Sequence, residues 1–319
     1  MTYGGRWVAR IRALFILVLL LCAGCASTPP SDAGQWQSSL YADHDLVGMI
    51  WDSRRDQFIT EEELLDQLKG VSYLLLGEKH DNPDHHALQL RVLDHVLRWE
   101  NVSNVSFEMM SSDQQPLLQG LTSLQADSLD AINDYLEWDN DGWDWNYYGP
   151  LVRSAMQAGV AINAANISNE EMMRVYGEPT PAEVAEVLDE ETMAALEKDI
   201  DESHCGMLPE SQFPAMVRVQ QARDFAMAES LSGSVQQIQV LIAGNYHIRR
   251  DLGVPNYIQH ARPNLSAQQI VSLAFMEVDE SSASPGDYLQ QFGSVKAYDY
   301  IWFTPAISDE DYCASLRQQ

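Results

Sequence analysis

Val71-Ser72-Tyr73-Leu74-Leu75-Leu76-Gly77-Glu78-Lys79-His80-Asp81-Asn82-Pro83 joins a short apolar run to a crowded polar loop. Val71 to Leu76 has the length and β-rich composition of a buried strand, and Gly77 ends it. From Pro83 to Trp99 the apolar residues Leu88, Val92, Leu93, Val96 and Leu97 recur at helical spacing. Strand, loop and helix therefore follow in order. Outward from this unit, Val102 to Phe107 predicts a second strand closing on Glu108, and Val160 to Ala164 a third closing near Asn166. Val235 to Ala243 runs into Gly244-Asn245-Tyr246-His247, and Ile270 to Val278 and Ala297 to Phe303 supply the last strands. Glu170 to Ser230 reads as helices, punctuated by Pro179, Pro181, Pro209 and Pro214, with Thr180 or Glu210 near helix starts. We take about 170–230 as a helical insertion or lid. The alternation, with no solenoid repeat, predicts an α/β fold with a mixed or mostly parallel central sheet and flanking helices. Polar clusters stand directly after strand ends, where open α/β sheets place their sites.

The N-terminal 24 residues read as a signal peptide: Arg6, Arg10 and Arg12, then an apolar run from Ala13 to Leu21 that is short for a membrane span. Leu21-Cys22-Ala23-Gly24-Cys25 resembles a lipobox, with Cys22 at position −3 where Leu is usual, and predicts cleavage and lipidation at Cys25. Two or more acyl chains of the palmitate class make such an anchor stable. Residues 25–39, small, polar and proline-containing, are expected to form a flexible tether. Ala26 after the cysteine suggests sorting to the outer membrane in a Gram-negative envelope. The folded domain is then expected over 40–319.

The full chain has 19 basic and 47 acidic side chains, a formal net charge of −28. Loss of the three signal-peptide arginines leaves 16 against 47, a net of −31. This excludes nucleic acid as a natural partner, since nothing offsets phosphate repulsion. An anionic ligand needs a local basic pocket. Of four cysteines, Cys22 leaves with the signal and Cys25 carries lipid, so Cys205 and Cys313 remain in the domain. They can pair in an oxidising compartment, though nothing in the sequence brings them together.

Three strand ends carry candidate chemistry. The first holds Glu78, His80, His85 and His86, where imidazole and carboxylate can ligate a metal or form an acid/base pair. Asp81 or Asn82 can cap the helix instead, and His85 and His86 can equally be first-turn residues without a role. The second is Glu108, followed by Met109 and Met110; a carboxylate after a buried strand must be partnered, solvated or used as a cap. The third is His247, beside Tyr246, Arg249 and Arg250.

These motifs resemble the ChaN family of haem-binding lipoproteins. The resemblance rests on Gly77 to Pro83 with His85, His86 and Gln89, on Phe107-Glu108-Met109-Met110 with Gln114, and on Gly142-Trp143-Asp144-Trp145 with Tyr148-Gly149-Pro150-Leu151. It continues through Ala165-Asn166-Ile167-Ser168, Gln220-Gln221-Ala222-Arg223-Asp224 with Met227-Ala228, and Ala243 to His247 before Asp251-Leu252-Gly253-Val254-Pro255, covering core motifs from about 70 to 278. It implies haem binding in iron uptake or storage, a tyrosine ligand to iron and a homodimer around haem; an outer-membrane haem receptor is a further candidate partner. Tyr147, Tyr148 and Tyr246 are the candidate ligands on chemical grounds, because a phenolate suits ferric iron. Each is also a reasonable core tyrosine. Arg223, Arg249 and Arg250 are candidates to meet haem propionates.

The superfamily also contains Tiki proteases and erythromycin esterases, which keeps a hydrolase open. Glu78, His80, Glu108 and His247 would then be catalytic, either with a divalent metal held by His80, Glu108 and His247 or through Glu and His alone. A structural envelope lipoprotein is a third reading. The resemblance and the lipoprotein address favour haem.

Overall fold

The structure, a computed structural model, describes residue 1 and residues 36–121, 123–124, 128–289, 291–292 and 294–316. The signal-peptide and lipidation readings, Cys25 included, lie outside the described residues.

In chain order, the first elements are β1 (Ile50–Asp52), β2 (Gln57–Ile59), α1 (Glu61–Leu68), β3 (Tyr73–Glu78) and α2 (Pro83–Leu97). Then come β4 (Val102–Ser111), α3 (Gln115–Leu121), α4 (Leu129–Leu136), α5 (Trp145–Ala158) and β5 (Ala161–Asn166). The helical segment follows as α6 (Asn169–Gly177), α7 (Ala182–Ala185), α8 (Glu190–Ser203) and α9 (Phe213–Ser230). The chain ends with β6 (Ile238–Gly244), α10 (Val254–Ala261), β7 (Ile270–Glu277), a hairpin of β8 (Gln291–Phe292) and β9 (Val295–Lys296), β10 (Tyr300–Thr304) and α11 (Tyr312–Leu316).

The main sheet has the order β2-β1-β10-β7-β3-β6-β4-β5. From β10 to β5 all neighbours are parallel, and β1 and β2 add an antiparallel edge. The expected α/β architecture is therefore present. Strands buried on both faces explain the near-continuous apolar runs. Along β3, Leu74 and Leu76 enter the core under α1, α2 and α5, while Tyr73 and Leu75 enter the opposite core under α8, α9 and α10. The edge pair β1 and β2 went unread because three residues are too few to show a period, although Trp51 and Phe58 pack edge-on with ring centroids 5.0 Å apart.

Helix starts follow their capping chemistry. Asn82, rather than Asp81, caps α2: its Oδ1 accepts from the backbone of Asp84 and His85, with Pro83 at the first helical position. Asp84 in turn accepts from the backbone N–H groups of Gln37 (2.8 Å) and Ser38 (2.9 Å), and Leu40 bridges to Ala306. Gln37 and Ser38, which fall within the 25–39 segment expected as a tether, are thereby fastened to the α2 N-terminus. Cys205, just beyond α8, is disulfide-bonded to Cys313 of α11, with Cα atoms 5.3 Å apart.

Candidate functional site

β3 and β6 are adjacent and parallel, so their C-terminal ends bring Glu78 beside Gly244; β4, on the far side of β6, delivers Glu108 to the same place. Sheet register thus gathers three clusters that lie far apart in sequence. Glu78 is fully buried. Its Oε1 accepts from the Tyr148 hydroxyl at 2.7 Å and meets His80 Nδ1 at 2.8 Å. Its Oε2 lies 3.0 Å from His86 Nδ1, a close ionic contact without the alignment of a hydrogen bond. Burial alone would raise the Glu78 pKa, but the attraction of His86 and the hydrogen bond from His80 bring it down to about 2. By the same coupling both histidines are pushed above the usual imidazole value, although burial opposes it. His86 is pinned further, through Nε2 to the His80 carbonyl and by stacking on Tyr147 at 4.6 Å. His80 is different: its side chain is 41% exposed, so one edge remains free to meet a ligand.

Glu108 does not cap a helix; β4 continues three residues past it, to Ser111. Its Oε2 accepts from the Gly244 backbone N–H at 2.7 Å, and its Oε1 faces His247 Nε2 at 3.3 Å. On its other side, His247 Nδ1 meets Asp224 Oδ1 of α9 at 2.6 Å. Burial would lower the His247 pKa, but Glu108 and then Asp224 outweigh it and push the value up to about 10. Glu108 is held down to about 2 against burial, chiefly by His247. Two glycines let these groups approach. A Cβ at Gly244 would stand 2.9 Å from His80 Nε2, and one at Gly253 would stand 2.2 Å from the His247 carbonyl oxygen. Neither position has room for a side chain.

Two clefts border this cluster. An apolar cleft of about 690 Å³ lies among α6, α8 and α9, lined by Met172, Met173, Tyr176, Met216, Tyr246 and His247 among others. A polar cleft of about 420 Å³ is lined by Glu108, Asp113, Gln114, Glu137, Asp139 and Trp143 among others. Met172 and Arg223 line both.

The sequence model of a family described as haem-binding uptake, Tiki superfamily, ChaN matches residues 64–258. The chain belongs to this family. The solved structure "Cofacial heme binding to ChaN of Campylobacter jejuni" aligns with a TM-score of 0.64 and 26% identity, covering 79% of this chain and 95% of that one. More distant solved structures include an erythromycin esterase mutant in its open conformation (TM-score 0.39, 11% identity, 68% of this chain and 72% of that one). A toxin effector domain from Vibrio vulnificus also aligns (TM-score 0.41, 16% identity, 71% of this chain and 37% of that one). No curated protein matches.

In this ChaN-family chain the expected residues separate into those that reach a ligand space and those that hold the fold. Tyr148 is buried and committed to Glu78. Tyr147 is half-buried against His86. Tyr246 lines the apolar cleft, and its buried hydroxyl has no hydrogen-bond partner. His85 is structural: its Nδ1 accepts from the Lys79 backbone at 2.8 Å and its Nε2 meets Thr304 at 3.0 Å. Burial, and then the charge of His86, bring its pKa down to about 3, so it stays neutral.

Arg249 and Arg250 correct the propionate expectation. Arg249 is buried and makes paired contacts to Asp251 (3.0 and 2.8 Å) and a 2.6 Å contact to Asp199 of α8, fastening the helical segment to the sheet. Arg250 bonds Asp299 at 2.9 Å and the Ile270 carbonyl at 2.7 Å. Their charges are already neutralised. Arg223 differs, with a buried Nε that has no hydrogen-bond partner and a place on the wall of both clefts.

The sheet brings the proposed metal-ligand set of His80, Glu108 and His247 to one place, each already engaged by protein groups. His247 is held between two carboxylates and His80 by Glu78, and among the described residues no group of three or more His, Cys, Asp or Glu side chains is disposed to hold a metal ion. Three site residues were not read from the sequence: Asp224, Tyr176 and His204. Asp224 stood inside a quoted motif, but nothing local links it to His247. Tyr176 follows Met172 and Met173 at helical spacing in α6, a signal that was there to find.

Proposed function

We propose that this chain is an outer-membrane lipoprotein, anchored through Cys25, that binds haem in the apolar cleft for iron uptake or storage. The observation that carries the reading is the cleft itself. Met172, Met173, Met216, Val219 and Ile200 supply polarizable and aliphatic surface for a flat apolar ligand, and Tyr176, Tyr246 and His204 supply groups able to bind iron. The unpartnered Tyr246 hydroxyl and the unpartnered Arg223 Nε are both donors and fit a ligand that brings a carboxylate. Such an arginine also answers the charge problem, since one local cation serves where the net charge is −28.

Tyr176 is the iron ligand in this reading. Tyr148 is buried with its hydroxyl donating to Glu78, and Tyr147 stacks on His86; neither lines the apolar cleft. Tyr176 is 36% exposed on the cleft wall, and Met173 and Met207 nearby are 66% and 54% exposed. Apolar side chains this exposed around a cleft suit coverage by a second copy. The Campylobacter jejuni relative is described as binding haem cofacially; we extend cofacial haem to this chain, with a second copy of the chain as the covering subunit.

Titration of the chain beginning after Cys25 with ferric haem tests this. The expected result is a saturable Soret change with a tyrosinate charge-transfer band, and a shift to a dimer on size exclusion. Tyr176→Phe loses that band and at least tenfold in affinity, while Tyr147→Phe binds as the parent. No saturable change, or a band that survives Tyr176→Phe, overturns the ligand assignment. In cells, the full chain is expected in the outer-membrane fraction bearing labelled palmitate that Cys25→Ser lacks.

One observation supports a second reading, a metal-independent hydrolase. His80 combines an Nδ1 oriented by Glu78 with an exposed ring edge near Glu108, the arrangement of a general base that can draw a proton from water. Attack of that water on an ester carbonyl would break the acyl C–O bond, with the proton returned from His80 to the leaving oxygen. On this reading, nitrophenyl ester turnover falls at least a hundredfold in His80→Ala with haem affinity unchanged. Equal turnover in parent and variant ends it.

A further inference from the structure

We propose that the Cys205–Cys313 disulfide is a redox latch on the wall of the apolar cleft, whose reduction loosens the Ser203–Met207 edge and weakens ligand binding. That the ligand is haem rests on the function proposed above; the latch itself rests on where the bond sits. α8 supplies Ile200 and Ser203 to the cleft, and His204, the residue after the helix, completes that wall. The chain then turns sharply. Cys205 and Gly206 both take left-handed backbone conformations, with φ of 62° and 65°. A non-glycine residue there must be held by its surroundings. His204 Nδ1 bonds the Ile200 carbonyl at 2.7 Å, and Cys205 is covalently tied to α11.

The other end of the bond is a peripheral element. After β10 the chain is fastened by Ala306 pairing with Leu40 and by the Ile307 N–H donating to Glu277 at 3.1 Å. Residues 308–312 are exposed, and Cys313 follows. The bond therefore ties a terminal helix to the cleft edge rather than stapling the sheet. Farther back along α8, Asp199 is independently fixed by Arg249. Loosening is thereby confined to the end of α8 after Asp199, whose Ile200 and Ser203, with His204, form one wall of the cleft.

Cys205 is buried and Cys313 half-buried, so a reductant reaches the Cys313 sulfur first. One thiolate of a dithiol protein or reagent attacks Cys313 Sγ, forming a mixed disulfide and expelling the Cys205 thiolate, which takes up a proton. The second thiol of the reductant displaces Cys313. Two protein thiols result, and the reductant leaves as its own disulfide. A cleft intact in an oxidising compartment and slack after meeting a dithiol partner would hold its ligand until handover.

The test compares the oxidised chain, the same chain reduced with dithiothreitol, and the double variant Cys205→Ala/Cys313→Ala, which keeps the comparison open if reduction is incomplete. Amide hydrogen exchange of the unliganded proteins is expected to be at least tenfold faster over 200–208, with β3 and β6 unchanged, and haem dissociation constants at least tenfold higher. Unchanged exchange over 200–208, unchanged haem affinity, or a uniform rise that includes β3 and β6 overturns the latch. If the oxidised chain takes no haem, the haem reading fails and anilinonaphthalene sulfonate, an apolar anionic dye, becomes the probe. Weaker dye binding after reduction then supports the latch, and equal binding overturns it.

Discussion

Replacing His247 by Ala lowers the free energy of unfolding at pH 7 by about 3–5 kcal/mol, the range for removing one partner of a buried charge pair. His247 stands between Glu108 and Asp224, both buried, at 3.3 and 2.6 Å. Without it two carboxylates face each other with no cation between them. The sign of the pH dependence follows from the raised imidazole pKa. A group lifted from 6.5 to about 10 on folding stabilises fully below pH 6.5, and that contribution disappears as pH rises towards 10. Glu108, lowered from 4.5 to about 2, behaves oppositely: its contribution is present above pH 4.5 and fades as pH falls towards 2. The parent chain is therefore expected to lose stability between pH 6.5 and 10. His247→Ala lacks that alkaline loss and recovers stability on acidification, as its stranded carboxylates protonate. Urea unfolding followed by tryptophan fluorescence at pH 5, 7 and 9.5 measures both. A parent-to-variant gap under about 1 kcal/mol at pH 7 would show that these charges do not hold the site together.

Glu78→Ala is expected to cost about the same, 3–5 kcal/mol, for a different reason. One carboxylate satisfies the Tyr148 hydroxyl, His80 Nδ1 and the charge of His86, and its removal strands the buried Tyr148 and His86 and frees His80. Glu78→Gln is milder, about 1–3 kcal/mol, because the amide oxygen still accepts from Tyr148 and the histidines lose only the carboxylate's charge. Glu78→Gln also has a readout separate from stability. The ring resonances of His80 and His86 should titrate at lower pH in the variant, since Glu78 is the principal influence raising both. Unmoved titration curves in a folded Glu78→Gln protein would remove Glu78 as their partner. If His80 is the exposed edge through which this cluster meets a ligand, its titration also shifts on ligand binding while that of His86, stacked on Tyr147, stays put.

Much of this organisation was legible in the chain. The apolar runs at Tyr73, Val102, Ala161, Ile238, Ile270 and Tyr300 are strands because a parallel sheet covered on both faces demands continuous apolar residues, and that demand is written locally. Asn82 before Pro83 is read as a helix start for an equally local reason, a side chain and a fixed φ acting within three residues. The edge strands β1 and β2 escaped because each is three residues long. Glu78, Glu108 and His247 were recognisable as strand-end polar groups, and the sheet brings them together.

The roles of the other candidates were not legible, because they depend on partners remote in sequence. Arg249 and Arg250 are adjacent to His247 and looked available to a ligand, yet one is spent on Asp199 and Asp251 and the other on Asp299. Asp224 becomes the partner of His247 only because α9 packs across the sheet ends, and Tyr176 becomes a cleft residue only because α6 lies against α9. The sequence by itself determined the α/β class, the parallel core and which strand ends would carry acid and imidazole groups, since hydrophobic periodicity and helix capping act over a few residues. Only the tertiary structure decided which of those groups are neutralised and which face open space, because ion pairing and desolvation depend on distances between elements that the chain order does not set.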